Sequence, residues 1–280
     1  MTVQETIRQA LQEDIGSGDY SSLACVDKSI HGEMKLMSKD MGIIAGIDIA
    51  ELVFKEVDPL ITMKKYKDDG DEIQCGDIVF TVEGPAQSML TAERTVLNFM
   101  QRMSGIATNT RRYVNQLEGT QTQILDTRKT TPNMRIFEKY AVKIGGAVNH
   151  RFGLFDMVML KDNHIDFAGG IEPAIDKTIQ YLKDHKLNLK IEIETRDLRE
   201  VIRVVAHGGV DHIMLDNFTP EQILSALKLI NGKYITEASG GITLSNIRQY
   251  AETGVDYISV GALTHHIKSL DLSLKFTNGQ

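Results

Sequence analysis

Asp126-Thr127-Arg128-Lys129-Thr130-Thr131-Pro132-Asn133-Met134-Arg135 opens a stretch that runs on through Gly145-Gly146-Ala147-Val148-Asn149-His150-Arg151-Phe152-Gly153-Leu154 and closes at Lys161-Asp162-Asn163-His164. Three cationic clusters recur in it between short apolar runs. Ile124-Leu125 leads into Asp126 and reads as the end of a buried strand; Met157-Val158-Met159-Leu160 leads into Lys161 and reads as another. Thr131-Pro132 predicts a turn with Pro at the first position of a helix that ends at Gly145-Gly146. An isolated Arg or Lys usually marks a solvated face. Here Arg128-Lys129 and Lys161-Asp162 follow directly on apolar strands, where an α/β barrel presents polar groups to a ligand. A strongly anionic small ligand accounts for the placement, because Arg forks carboxylate and phosphate while Lys acts as a point charge.

Working outward, apolar runs recur near 123–125, 157–160, 189–193, 212–215, 234–236 and 257–260, the later ones about 22 residues apart, with helical segments between them. This is βα alternation on a parallel sheet. The repeats share no template, which excludes a solenoid. A polar or small residue follows each run: Arg128, Lys161, Glu194, Asp216, Ser239 and Gly261. Six strand ends in register would share one rim. Alone, Glu194 or Asp216 is an ordinary helix cap. Together on one rim they suit a metal site or an acid/base pair, and the all-oxygen set favours Mg²⁺. Neither His150 nor His164 completes a zinc spacing. Ser239-Gly240-Gly241 leads toward a helix from about Thr243, and Gly261-Ala262 toward the last helix, so a phosphate could approach backbone N–H groups there. A glycine pair by itself is only a turn signal.

The N-terminal part reads differently. Thr2-Val3-Gln4-Glu5 fits a capping box for a helix running to about Asp14. Lys35–Ser38, Gly42–Gly46 and Asp77–Val82 read as short strands and Ile47–Val57 as a helix, an interleaving that suggests an α+β domain. From Pro85 to about Gln116 the pattern is helical, with Leu90, Leu97, Phe99, Met100 and Met103 on a face suited to a core or subunit interface. Arg102 lies among them and is costly to bury alone. It either reaches a ligand carboxylate or makes an interface ion pair. The 280 residues are 42% hydrophobic and 25% charged, with room for a sizeable core. A net charge of −7 argues against a general nucleic-acid or membrane-surface binder. No apolar run approaches the ~18 residues of a membrane span. Cys25 and Cys75 have no metal or redox spacing, and no signal peptide is apparent, so a cytoplasmic enzyme is expected.

The opening stretch, together with Glu93–Thr108, Ile191-Glu192-Ile193-Glu194, Met214-Leu215-Asp216-Asn217, Glu237-Ala238-Ser239-Gly240-Gly241 and Gly261-Ala262-Leu263-Thr264-His265, resembles the quinolinate phosphoribosyltransferase family over nearly the whole chain. Asn133 and Ala147 stand where that family usually has Gly. The resemblance implies an α/β fold, an incomplete or open (β/α) barrel over 107–280, with a smaller α+β domain over 1–106 on which the last helix is able to pack back. It implies transfer of phosphoribose from 5-phosphoribosyl 1-diphosphate to quinolinate with decarboxylation, giving nicotinate mononucleotide, diphosphate and CO₂. Arg128, His150, Arg151 and Lys161 would hold the carboxylates, helped by Arg102 from the partner chain of a homodimer. Lys129 would meet the diphosphate, Glu194 and Asp216 the Mg²⁺ and ribose hydroxyls, and Ser239, Gly240, Gly241, Gly261 and His265 the phosphate. Other readings are a phosphoribosyltransferase that acts on nicotinate without decarboxylation, an aldolase using Lys161 or Lys129 as a Schiff base, and a non-catalytic binder of phosphorylated ligands.

Overall fold

Thr2 starts the first helix through a reciprocal cap. Its Oγ1 accepts the Glu5 N–H at 3.2 Å, and Glu5 Oε2 accepts the Thr2 N–H at 2.7 Å, so donors at the helix start are satisfied. The computed structural model describes residues 2–277. Helix α1 (Val3–Ile15) is followed by α2 (Tyr20–Cys25), β1 (His31–Ser38), β2 (Gly42–Ile43), α3 (Ile47–Val57), β3 (Thr62–Lys65), β4 (Glu72–Ile73), β5 (Ile78–Pro85) and α4 (Ala86–Gln116). On α4 the buried residues Met89, Ala92, Val96, Phe99, Met100, Met103 and Ile106 keep three- and four-residue spacing, the stripe that a helix lays on a core. Leu90, expected on that face, is exposed.

The alternating part follows: β6 (Gln123–Leu125), α5 (Arg135–Ile144), β7 (Val158–Leu160), α6 (Asp162–Ala168), α7 (Ile171–Asp184), β8 (Ile191–Thr195), α8 (Leu198–His207), β9 (His212–Asp216), α9 (Pro220–Ile230), β10 (Ile235–Ser239), α10 (Ile247–Ala251), β11 (Tyr257–Ser259), α11 (Ala262–His265) and β12 (Leu272–Phe276). Two expectations are corrected. The helix predicted from Pro132 begins at Arg135, because Pro132 and Asn133 occupy a turn closed by the Met134 N–H on Thr131 O at 3.0 Å. The helix expected near Thr243 begins at Ile247 and has 5 residues. The last helix does follow Gly261, as α11, and a strand not expected from the sequence, β12, comes after it.

The chain divides into two compact units. One holds the residues through Arg111, Thr130–Gly146 and the run from Leu263 onward; the other holds Arg112–Lys129 and Ala147–Ala262. Residues 130–146 and the C-terminal run therefore group with the first unit. The first unit contains an antiparallel sheet in the order β12-β1-β5-β3. Gly145 stops α5 against α4: a Cβ there would lie 2.7 Å from the Ala107 carbonyl oxygen, too close for any side chain.

The second unit is a six-stranded parallel sheet in the order β6-β11-β10-β9-β8-β7. The edge strands β6 and β7 do not pair, so the sheet is an open barrel. A single parallel bridge, Leu125 to Val148, extends the β6 edge. In a parallel pair, residues in register face the same side. One face carries Ile124, Leu160, Ile193, Ile213, Leu215, Ala238 and Ile258, all buried. The other carries Met159, Glu192, Glu194, His212, Met214, Asp216, Glu237 and Ser239. An apolar face toward the helices and a charged face toward the interior set the barrel up as a container for a polar ligand.

Candidate active site

Strand register brings four of the expected residues together. Lys161 directly follows β7, and its Nζ lies 3.3 Å from Glu194 Oε2 on β8. Asp216 closes β9, and its Oδ2 accepts a bond from Asn217 Nδ2 at 2.6 Å. Burial raises the Glu194 carboxyl above its ordinary range; the Lys161 charge opposes this and the Asp216 charge adds to it. Burial likewise raises Asp216, opposed by the Asn217 bond and by the charges of Lys161 and Lys129. Lys129, Lys161, Glu194 and Asp216 thus act on one another at a single rim. Neither acid is a helix cap, since α8 and α9 are capped by Asp197 and Thr219. Glu194 lies inside its strand and not past it.

Beside them stands a cationic pair. Arg151 is half-buried, and burial followed by the neighbouring Arg128 charge pulls its guanidinium below the usual Arg range. Its Nη1 donates to Met157 O at 3.2 Å. Arg128 Nε is buried with no hydrogen-bond partner among the described residues. Two like charges held together, one with an unanswered donor, are costly until an anion joins them. Ser239 closes β10, and its carbonyl accepts the Asn217 N–H at 2.8 Å. Gly240 and Gly241 follow at φ 92° and 62°, and a side chain at Gly240 would collide with Asn217. This loop is a tight left-handed turn. The helices after it and after Gly261 have 5 and 4 residues.

His150 points inward. Its Nε2 lies 3.0 Å from Glu192 Oε2 and 3.2 Å from Glu237 Oε2, and its Nδ1 accepts the Arg151 N–H at 2.6 Å. Fully buried Asp126 accepts the His150 N–H at 2.7 Å. Glu192, Glu237 and Asp126 were not picked out from the sequence. The available signal was the alternation Ile191-Glu192-Ile193-Glu194, which puts acids on one face of a strand buried on both sides.

Arg102 and His265 belong to the first unit. Arg102 is an ion-pair residue within its own chain: Nε and Nη2 donate to Glu138 Oε1 at 2.8 and 2.6 Å, and Nη2 also reaches Thr131 Oγ1 at 2.8 Å. Glu138 is fully buried. Arg102→Ala would strand that carboxylate, at a cost of about 3 kcal/mol, lowering the melting midpoint by roughly 6–12 °C. Calorimetry checks this; an unchanged midpoint would show the pair to be dispensable. His265 is exposed, with its ring edge-on to His266.

Comparison with known proteins settles the lineage. The family model of the quinolinate phosphoribosyl transferase N-terminal domain matches residues 19–104, and that of its C-terminal domain matches residues 106–275. The chain belongs to the quinolinate phosphoribosyltransferase family. A Nicotiana tabacum relative, quinolinate phosphoribosyltransferase (decarboxylating) 2b, mitochondrial, is 44% identical over 98% of this chain and 82% of its own. The crystal structure of NadC from Streptococcus pyogenes aligns with 41% identity and a TM-score of 0.93, over 99% of this chain and 97% of that one. The nicotinate-nucleotide pyrophosphorylase structure from Francisella tularensis aligns with 40% identity and a TM-score of 0.92, over 98% and 96%.

The two departures from the family's glycines have a structural account. Asn133 sits at φ 64°, a left-handed conformation that Asn tolerates better than other residues with a side chain. Ala147 is buried and has no positive φ, so a Cβ is allowed there. No helix among the described residues is long and apolar enough to cross a membrane.

Proposed function

We propose that this quinolinate phosphoribosyltransferase family member transfers phosphoribose from 5-phosphoribosyl 1-diphosphate to quinolinate, releasing diphosphate and CO₂ and leaving nicotinate mononucleotide. The observation that carries this reading to a dicarboxylate is the Arg128–Arg151 pair, two neighbouring guanidiniums with a buried, unanswered Nε. Each carboxylate of quinolinate would take one guanidinium fork. Lys129 and Lys161, exposed at the rim, would meet the anionic donor as point charges.

The ring nitrogen then attacks C1 of the ribose as the bond to diphosphate breaks. Positive charge grows on C1, and the Glu194 and Asp216 carboxylates favour it electrostatically. With the nitrogen quaternary, the bond to the 2-carboxylate breaks. CO₂ leaves, the electron pair stays on C2 beside the cationic nitrogen, and C2 takes a proton.

Mg²⁺ fits the same rim. Glu194 and Asp216 are hard oxygen donors on one rim, raised chiefly by burial, and Mg²⁺ characteristically takes one or two carboxylates plus substrate phosphates. Bound there, it supplies positive charge to the departing diphosphate. Quinolinate, donor and Mg²⁺ incubated together should give diphosphate, CO₂ and nicotinate mononucleotide in equal amounts; no diphosphate release would reject the reading.

The assembly proposed is a homodimer in which Arg102, paired in its own chain with Glu138, would also reach the partner's site. Mixing Arg102→Ala with Lys161→Ala, below the melting point of either, should restore one complete site per heterodimer. No recovery in demonstrated heterodimers would confine Arg102 to the Glu138 pair of its own chain. Two free, exposed cysteines, Cys25 and Cys75, suit a reducing cytoplasmic setting.

A further inference from the structure

His150, Glu192 and Glu237 meet inside the barrel of the second unit. Glu192 is on β8 and Glu237 on β10, with β9 between them, and His150 enters from the opposite side, just past the Val148 bridge at the β6 edge. Both glutamates are essentially inaccessible to water, and the His150 side chain is 7% exposed. Their ligating atoms all lie within 4.8 Å of one another. Two explanations compete: a buried cation site, or a clamp on the histidine.

Proton placement decides between them. A neutral imidazole has one N–H and one lone pair. The Arg151 N–H points at Nδ1 from 2.6 Å, so the lone pair is there and the ring proton is on Nε2. Nε2 then has nothing to offer a metal ion; its proton faces Glu192 Oε2 and Glu237 Oε2 at 3.0 and 3.2 Å, between the two acids and off the hydrogen-bond line of either. Burial opposes a charge on the ring while Glu192 and Glu237 push its pKa up to about 10; a second proton would nonetheless have to sit on Nδ1, facing the Arg151 N–H at 2.6 Å, so this geometry holds the neutral ring.

The same residues fix the neighbouring main chain. Asp126 holds the His150 N–H, and the ring holds the Arg151 N–H. The Arg151 side chain leaves this anchored point toward Arg128. We propose that Glu192 and Glu237 are positioning residues: by gripping the His150 ring across the barrel interior, they set the Arg151 guanidinium beside Arg128 and so adapt the site to a dicarboxylate. This rests on the phosphoribosyl-transfer reading, which fails separately if the unaltered enzyme does not turn over quinolinate.

The test is steady-state kinetics on Glu192→Met, Glu237→Met, Glu192→Gln and Glu237→Gln. Met removes the acceptor at similar volume, whereas Gln keeps a carbonyl acceptor for Nε2–H. Both Met variants should raise KM for quinolinate at least tenfold, with KM for the phosphoribosyl donor and kcat at saturation within about threefold. The Gln variants should keep KM for quinolinate within threefold of the parent. Equal rises in both KM values, Gln variants as impaired as Met variants, or no change in any variant would each overturn the proposal. If the Met variants do not fold, ¹⁵N spectra of histidine-labelled unaltered enzyme at pH 7 decide. His150 should be the neutral tautomer protonated at Nε2; protonation at Nδ1 would overturn the clamp.

Discussion

Arg128→Ala should lower kcat/KM for quinolinate by roughly 10²–10³-fold, because truncating one partner of a desolvated charge pair costs 2–5 kcal/mol. The loss should appear without a loss of stability. In the free enzyme Arg128 has a buried Nε without a partner and stands in the field of Arg151, so its removal relieves two unfavourable terms. The melting midpoint is expected to stay the same or to rise, the usual sign of a residue kept for its ligand and not for the fold. Full activity with unchanged KM for quinolinate would remove Arg128 from the site.

Nicotinate should be a far poorer substrate than quinolinate. It has one carboxylate where the site has two adjacent guanidiniums, and binding it would leave one of them unpaired while losing the water that had solvated it. A site built to pair a polar group rejects an analogue lacking that group by roughly 10⁴–10⁵ in specificity. The ratio of kcat/KM for the two acids at saturating donor and Mg²⁺ measures this. Comparable values would assign the cations to the phosphates of the donor and favour the non-decarboxylating reaction.

Much of this was legible in the sequence because it follows local rules. Ile47–Val57 forms the helix its pattern predicts, Thr2 and Glu5 form the expected box, and the strand ends place Lys161, Glu194 and Asp216 on one rim. Other features depend on distant partners. The His150, Glu192 and Glu237 cluster joins residues far apart in sequence, and spacing gives no hint of convergence across a barrel interior. Strand β12 was missed although Leu272, Leu274 and Phe276 alternate with polar residues, because its partner β1 lies at the other end of the chain. The Pro132 signal was real but served a turn: Asn133 takes a left-handed φ, which delays the helix to Arg135. Arg102 read as a residue in need of a partner. That need was correct, but its buried Glu138 partner is brought near only by folding.

A crystal structure of the enzyme with quinolinate tests the central claim most directly. One carboxylate should lie within hydrogen-bonding distance of the Arg128 guanidinium, satisfying its Nε, and the other within reach of Arg151, with the ring nitrogen facing the rim of Lys161, Glu194 and Asp216. Quinolinate bound elsewhere, with Arg128 Nε still unpartnered, would contradict the account.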